Sequence, residues 1–115
     1  MYEEILYKLS KSKFRSSFKL KDKDKKYIEE KGLDVIKRHA LDFIRTRIAP
    51  AVIPNDGKQT PMKGHPVFIA QHATAACCRS CINKWHGFKK NTELSEHEQN
   101  YLTGLIMEWI KINLK

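Results

Sequence analysis

Cysteine occurs three times in this chain of 115 residues, and all three fall within five positions: Cys77, Cys78 and Cys81. Thiol groups ligate soft metals, attack electrophiles, pair as disulfides or fill apolar cores, so their clustering calls for one of these explanations. Two of the five histidines, His72 and His86, flank them. Cys78, Cys81 and His86 form the pattern C-x2-C-x4-H, which matches the first three ligands of a zinc knuckle. The knuckle's fourth ligand falls five residues after the histidine, where this chain has Asn91, so a true knuckle fails. A fourth donor then comes from His72, Cys77, His65 or His39, or the site has three donors and an open position, as catalytic zinc sites do.

Helical geometry sorts the candidates. At about 100° per residue, Cys77, Cys78 and Cys81 lie within roughly 100° of one another on an unbroken helix, and His72 and His86 fall on the opposite side. Gathering thiols and imidazoles together therefore requires a break in the chain near Ala76 or Trp85, and Gly87 suits a break just after His86. Two other readings compete. An apolar helix face could bury all three cysteines without a metal. Alternatively, one thiol could be a nucleophile, with His72 or His86 as base and Arg79 favouring the thiolate.

The elements that must position these groups read as helices. Residues 2–9 suit a short helix with Ile5, Leu6 and Leu9 inward. DKDKKYIEEKG suits a second, capped by Asp22 or Asp24 and stopped at Gly32. In LDVIKRHALDFIRTRIAP the apolar residues recur at intervals of three and four until Pro50, with His39 on the core side as a hydrogen-bonded histidine. PAVIPNDGKQTPMKGHP, residues 50–66, holds four prolines and two glycines and reads as a long loop, the kind that is often functional. A β-hairpin there is poorly supported by its flanks. Helical propensity returns over VFIAQHATAACCRSCINKW. The last helix opens with a capping box, Ser95 and Glu98, ahead of a stripe containing Leu102, Leu105, Ile106, Trp109 and Ile110. The expected fold is all-α: one domain over residues 1–115, with four to five helices and one irregular central loop.

Hydrophobic residues make up 41% of the chain, enough for one modest core and too much for a disordered tail. No apolar run approaches the roughly 20 residues of a membrane span. MYEEILYKLSKSKF has no signal-like apolar block, so the expected compartment is the cytoplasm, where thiols stay reduced. An odd cysteine count with two neighbours also argues against a disulfide framework. The net charge is +9, and residues 8–26 carry nine basic and two acidic side chains. Such a surface attracts polyanions, nucleic acid first among them. Phe14 and Phe18, four apart within that stretch, read as one face of a short helix. His97, among acids in a helix first turn, reads as solvated.

The run DGKQTPMKGHPVFIAQHATAACCRSCINKWHGF, residues 56–88, resembles the signature of a family of small bacterial and phage proteins, the domain of unknown function 4186. The similarity extends from Phe14-Arg15 through the Trp109 helix. No established activity attaches to the family, so the resemblance implies kinship without a mechanism. It marks Asp56, Lys58, Gln59, Thr60, His65, Gln71, His72, Thr74, Cys78, Arg79, Cys81, Trp85 and His86 as signature positions. Ala75-Ala76 and Ile82 are conservative departures. The polar members Asp56, Lys58, Gln59, Gln71 and Arg79, together with His65 and His72, are expected either to line a pocket beside the metal or to pin the long loop.

The leading expectation is a small basic zinc-binding module that contacts nucleic acid. Its metal ligands come from Cys77, Cys78, Cys81, His72 and His86, and Arg15, Lys19, Lys58, Lys63 and Arg79 meet phosphates. The alternatives are a metal-dependent hydrolase using Asp56 or His65 as general base, and a protein–protein adaptor.

Overall fold

The longest helix, Glu96–Asn113, begins where the capping box places it. Ser95 Oγ accepts the Glu98 N–H at 3.0 Å and the Glu98 carboxylate accepts the Ser95 N–H at 2.9 Å. Its inward stripe of Leu102, Leu105, Ile106 and Ile110 is fully buried and forms the spine of the core. This computed structural model describes residues 2–54 and 56–115. Among them the chain is all-α, with no strand, so the hairpin considered for the central loop does not form. No helix is long and apolar enough to cross a membrane.

Seven α-helices take the place of the four to five expected. In chain order they are α1 (Glu3–Ser10), α2 (Lys13–Ser16), α3 (Asp22–Lys31), α4 (Leu33–Phe43), α5 (Pro66–Ala73), α6 (Arg79–His86) and α7 (Glu96–Asn113). Helix α4 runs on into a π-helical turn, Ile44–Ile48, before Pro50. Gly32 lies between α3 and α4 at φ 86°, a left-handed conformation that glycine adopts without the Cβ penalty. The surplus over expectation comes from α2, a single turn, and from a division of the VFIAQHATAACCRSCINKW segment into α5 and α6.

Helices α4 and α5 both pack on α7, and α3 packs on α4 and α5. The core joins Ile28, Ile36, Ile44, Ile48, Val67, Ile82, Leu94, Leu102 and Ile106. Helices α1 and α2 pack together, and α2 reaches α5. Tyr2, just ahead of α1, anchors the N-terminus by donating from its hydroxyl to the Tyr101 carbonyl at 3.2 Å. A Cβ at Gly104 would stand 2.2 Å from that hydroxyl oxygen, so the glycine makes room for the anchor.

Arg79 ties the central loop down. Its guanidinium, only 3% exposed, donates to the carbonyls of Ile48, Ala49 and Pro50 at the end of the π turn. It also donates to the carbonyls of Lys89 and Thr92 beyond α6. A cation suits the electronegative C-terminal end of a helix, whose last carbonyls lack partners. Arg79 is therefore a buried tie that pins the loop, one of the two roles expected of it, and it is not exposed as the expected phosphate contact would be. Replacing Arg79 with Met leaves the buried Ile48 carbonyl without its donor, at a cost of about 1–3 kcal/mol, whereas the Ala49 carbonyl keeps the Leu94 N–H at 2.9 Å. The expected loss of stability is at least about 1 kcal/mol, visible as a lower urea midpoint at unchanged slope.

Candidate metal centre

Every residue from Gln71 to Arg79 is buried, an unbroken run that no single amphipathic face explains. The backbone leaves the helical path inside it. Helix α5 ends at Ala73, Ala75 takes φ 58°, and the Ala76 N–H bonds back to the Gln71 carbonyl at 2.8 Å. Cys78 then adopts extended backbone as the N-cap of α6, and its sulfur accepts the Cys81 N–H at 3.4 Å. This turn supplies the break near Ala76 that the helical geometry required. Thr60 from the central loop fixes it by donating from Oγ1 to the Cys77 carbonyl at 2.8 Å, and Gln71 Nε2 donates to the Ala76 carbonyl at 3.0 Å.

As a result the Sγ atoms of Cys77, Cys78 and Cys81 lie within 4.8 Å of one another, all as free thiols. These three can hold a metal ion. Cys77 and Cys78 are buried and Cys81 is partly exposed, so the group sits just beneath the surface.

Arg15 completes the group from 62 positions upstream of Cys77. Ser12 caps α2 by accepting the Arg15 N–H at 3.1 Å, which sets the residue on the first turn. The guanidinium, 7% exposed, donates to the His72 carbonyl at 2.7 Å, to Cys77 Sγ at 3.5 Å and to Cys81 Sγ at 3.0 Å. Among the described residues no carboxylate pairs with it. Burial opposes its charge, but the bonds to Cys77 and Cys81 outweigh this and raise its pKa. The sulfurs divide in turn. The neighbouring Cys77 and Cys78 sulfurs and Arg15 pull the Cys81 pKa down against its burial, whereas the neighbouring sulfurs and burial push Cys77 up. Both shifts favour negative charge on Cys81, whose sulfur accepts from the buried Arg15 guanidinium.

The two histidines stand outside the set of mutually close ligand atoms. His72 Nε2 donates to the carbonyls of Thr60 and Pro61 at 3.2 and 3.1 Å, and its ring stacks on Phe18 with centroids 5.3 Å apart. His86 Nε2 donates to the Thr74 carbonyl at 2.9 Å, which leaves its buried Nδ1 as an acceptor without a partner. Burial, only partly offset by the bond to Thr74, lowers the His86 pKa.

The remaining expected residues separate. Arg15, like Arg79, is buried rather than offered to phosphate, whereas Lys19, Lys58 and Lys63 are exposed. Asp56, Gln59, His65 and Gln71 do not line one pocket. Asp56 sits at the start of α6, where Oδ1 accepts the Arg79 N–H and Gln59 Nε2, and Oδ2 accepts Ser80 Oγ. Lys90 stands 3.6 Å away. Partial burial opposes ionisation, but these donors and Lys90 hold the Asp56 pKa at about 2. Gln71 is buried against Thr60. Arg15 and Phe18 are the members that sequence reasoning missed at the thiol group. Their only signal was the Phe14-Arg15 resemblance, because side-chain bonds across so many positions leave no periodic trace.

His65 forms a separate cluster with His39, which is half-buried and hydrogen-bonded as expected. His65 Nδ1 caps α5 by accepting the Val67 N–H at 3.0 Å. That bond puts the ring proton on Nε2, from which it is donated to His39 Nδ1 at 3.0 Å. Burial and the neighbouring imidazole push the His65 pKa from 6.5 down to about 4, with Asp24 opposing them. A histidine depressed in the folded state takes up its proton more readily when unfolded. Its contribution is therefore complete above about pH 6.5 and is lost as pH falls toward about 4. The His65 ring resonances should titrate near pH 4 by NMR. A His65→Asn variant, which keeps a capping side chain, should lose less stability than the parent between pH 6.5 and 4.

No solved structure matches the chain. A family model described as a domain of unknown function, DUF4186, matches residues 3–111. The match spans every helix except the last residues of α7, and it takes in Arg15 together with the three thiols. The chain accordingly belongs to the DUF4186 family of domains of unknown function.

Proposed function

We propose that this chain is a small metal-binding module in which the thiolates of Cys77, Cys78 and Cys81 hold one zinc ion, with Arg15 as the balancing cation. The observation that carries the reading is three sulfurs within 4.8 Å of one another, two of them bonded to a buried guanidinium that has no carboxylate partner among the described residues. Charge is compatible with a divalent ion. Three thiolates and a dication leave one negative charge, and Arg15 cancels it, so the buried set is neutral overall. Distance favours it. A tetrahedral site with Zn–S bonds of about 2.3 Å places its sulfurs ~3.8 Å apart, a contraction of no more than about 1 Å from the observed spacing. The set resists a structural alternative, since a plain core needs no buried arginine aimed at sulfur. Three protein donors would leave the fourth zinc position to water or another small ligand.

The folded module meets nucleic acid in this reading, supported by its net charge of +9. Metal-dependent hydrolysis draws no support from its two proposed bases. Asp56 is committed to the start of α6 and held at about pKa 2, and His65 is turned to His39.

Protein purified without added chelator should contain one equivalent of zinc, and the Cys78→Ser and Cys81→Ser variants none. Arg15→Met should weaken zinc binding by about 10- to 100-fold, the usual effect of removing a partner of a metal ligand. Chelation should lower the melting temperature of the parent and leave the serine variants unmoved. A parent that holds no zinc or other thiophilic metal, with a melting temperature indifferent to chelator, would sink the reading.

A further inference from the structure

A hollow of about 260 Å³ opens between the segment 17–23 and the loop 62–64. Phe18, Met62 and Ile69 supply its apolar lining, and Lys19, Lys21, Lys23 and Lys63 surround them. Met62 is 56% exposed, an uncovered large apolar side chain in the midst of cations. Among the described residues none of the four lysines forms an ion pair. The one acid lining the hollow, Asp24, is buried and accepts the Lys21 N–H at 3.0 Å. Four uncommitted positive charges therefore ring an apolar depression.

The walls are held in register. Phe18 stacks on the His72 ring at 5.3 Å, nearly parallel, and meets Phe14 edge-on. The same His72 ring bonds the Thr60 and Pro61 carbonyls, next to Met62 and Lys63. One imidazole thus fixes both sides of the hollow, so its shape does not depend on the ligand for assembly.

We infer that this hollow binds single-stranded nucleic acid, with one base against Phe18, Met62 and Ile69 and the flanking phosphates on Lys19, Lys21, Lys23 and Lys63. The combination of apolar and aromatic platform with a cationic track is what sequence-tolerant strand binding requires. The volume lies just below the roughly 300 Å³ where sites for whole small molecules begin, and it suits one unit of a longer polyanion. A duplex buries its base faces in its own stack and cannot offer one to the apolar lining. The inference rests on the reading of the chain as a nucleic-acid-binding module, and it uses none of the thiol residues.

The test uses the full zinc-loaded chain and a fluorescein-labelled oligo(dT) 12-mer, followed by anisotropy from low to moderate salt. Four phosphate contacts predict a slope of log affinity against log salt of about −3. The Lys19→Gln/Lys63→Gln variant should bind at least about tenfold more weakly at low salt, with the slope shallower by about 1.4. Phe18→Leu should lose about fivefold or more with the slope unchanged, since stacking carries no counterion term. Met62→Ala is a second apolar probe, independent of the contact with His72, and should lose affinity in the same sense. Lys111→Gln, outside the hollow, should bind like the parent. Zinc content, measured on each variant, should stay at the parent level.

A parent that fails to bind the strand at low salt overturns the nucleic-acid reading and this inference together. A parent that binds while the Lys19/Lys63, Phe18 and Met62 variants match it overturns the hollow alone. Tighter binding of the matching duplex than of the strand overturns the assignment to single strands.

Discussion

A guanidinium buried to 7% exposure with sulfur as its only anionic partner is the constraint around which this fold closes. A buried cation without a counter-charge is costly, and no carboxylate is at hand to relieve it. The thiol group beside it can supply that charge, either as a shared thiolate or as a metal–thiolate set. The first leaves one charge on a site with three ionisable sulfurs. The second uses all three and also ends in neutrality. Charge balance is thus met in either state, and it is the mutual approach of the three sulfurs that makes the group able to hold a metal ion.

The surrounding architecture serves this contact from both ends of the chain. Helix α2, one turn long, is too short to be stable alone, and the Ser12 cap and the Arg15 bonds to the His72 carbonyl and to sulfur hold it in place. The turn after α5 has to depart from helix so that Cys77 and Cys78 can approach Cys81, and Ala75 adopts a left-handed φ of 58° to do it. Such a conformation costs energy in a residue with a Cβ, and it persists where neighbours over-determine it. Here Thr60 and Gln71 do so through the carbonyls of Cys77 and Ala76. Arg79 and Asp56 then bind the loops at the other end of the same segment.

Much of the helical frame was legible in the sequence, because its signals are local. The Ser95–Glu98 box, Gly32, Pro50 and the three-four spacing of Ile36, Ala40, Phe43 and Ile44 each act within a turn or two of chain. The convergence of the cysteines was legible too, as a spacing. Their partners were not. VFIAQHATAACC has helical propensity throughout, and what breaks it at residues 74–78 is hydrogen bonding from Thr60 and packing from α2. Arg15 and Arg79 read as two more cations in a basic chain, and only the tertiary structure separates buried arginines from the exposed Lys19, Lys58 and Lys63. His72 read as a metal ligand because it neighbours cysteines, whereas it joins the loop 60–61 to Phe18. The signature residues thus fall into two working sets, one around sulfur and one that keeps the long loop in place.

The two features assigned function share one wall. His72 offers its carbonyl to Arg15 and its ring to Phe18, so the thiol group and the basic hollow are built on the same residue of α5. Ordering of the first supports the shape of the second without any requirement that either ligand touch the other. X-ray absorption at the zinc edge of the purified protein tests the central claim most directly. The account predicts three sulfurs at about 2.3 Å and one lighter donor at about 2.0–2.1 Å. A first shell made of nitrogen and oxygen alone, or one with fewer than three sulfurs, would contradict it.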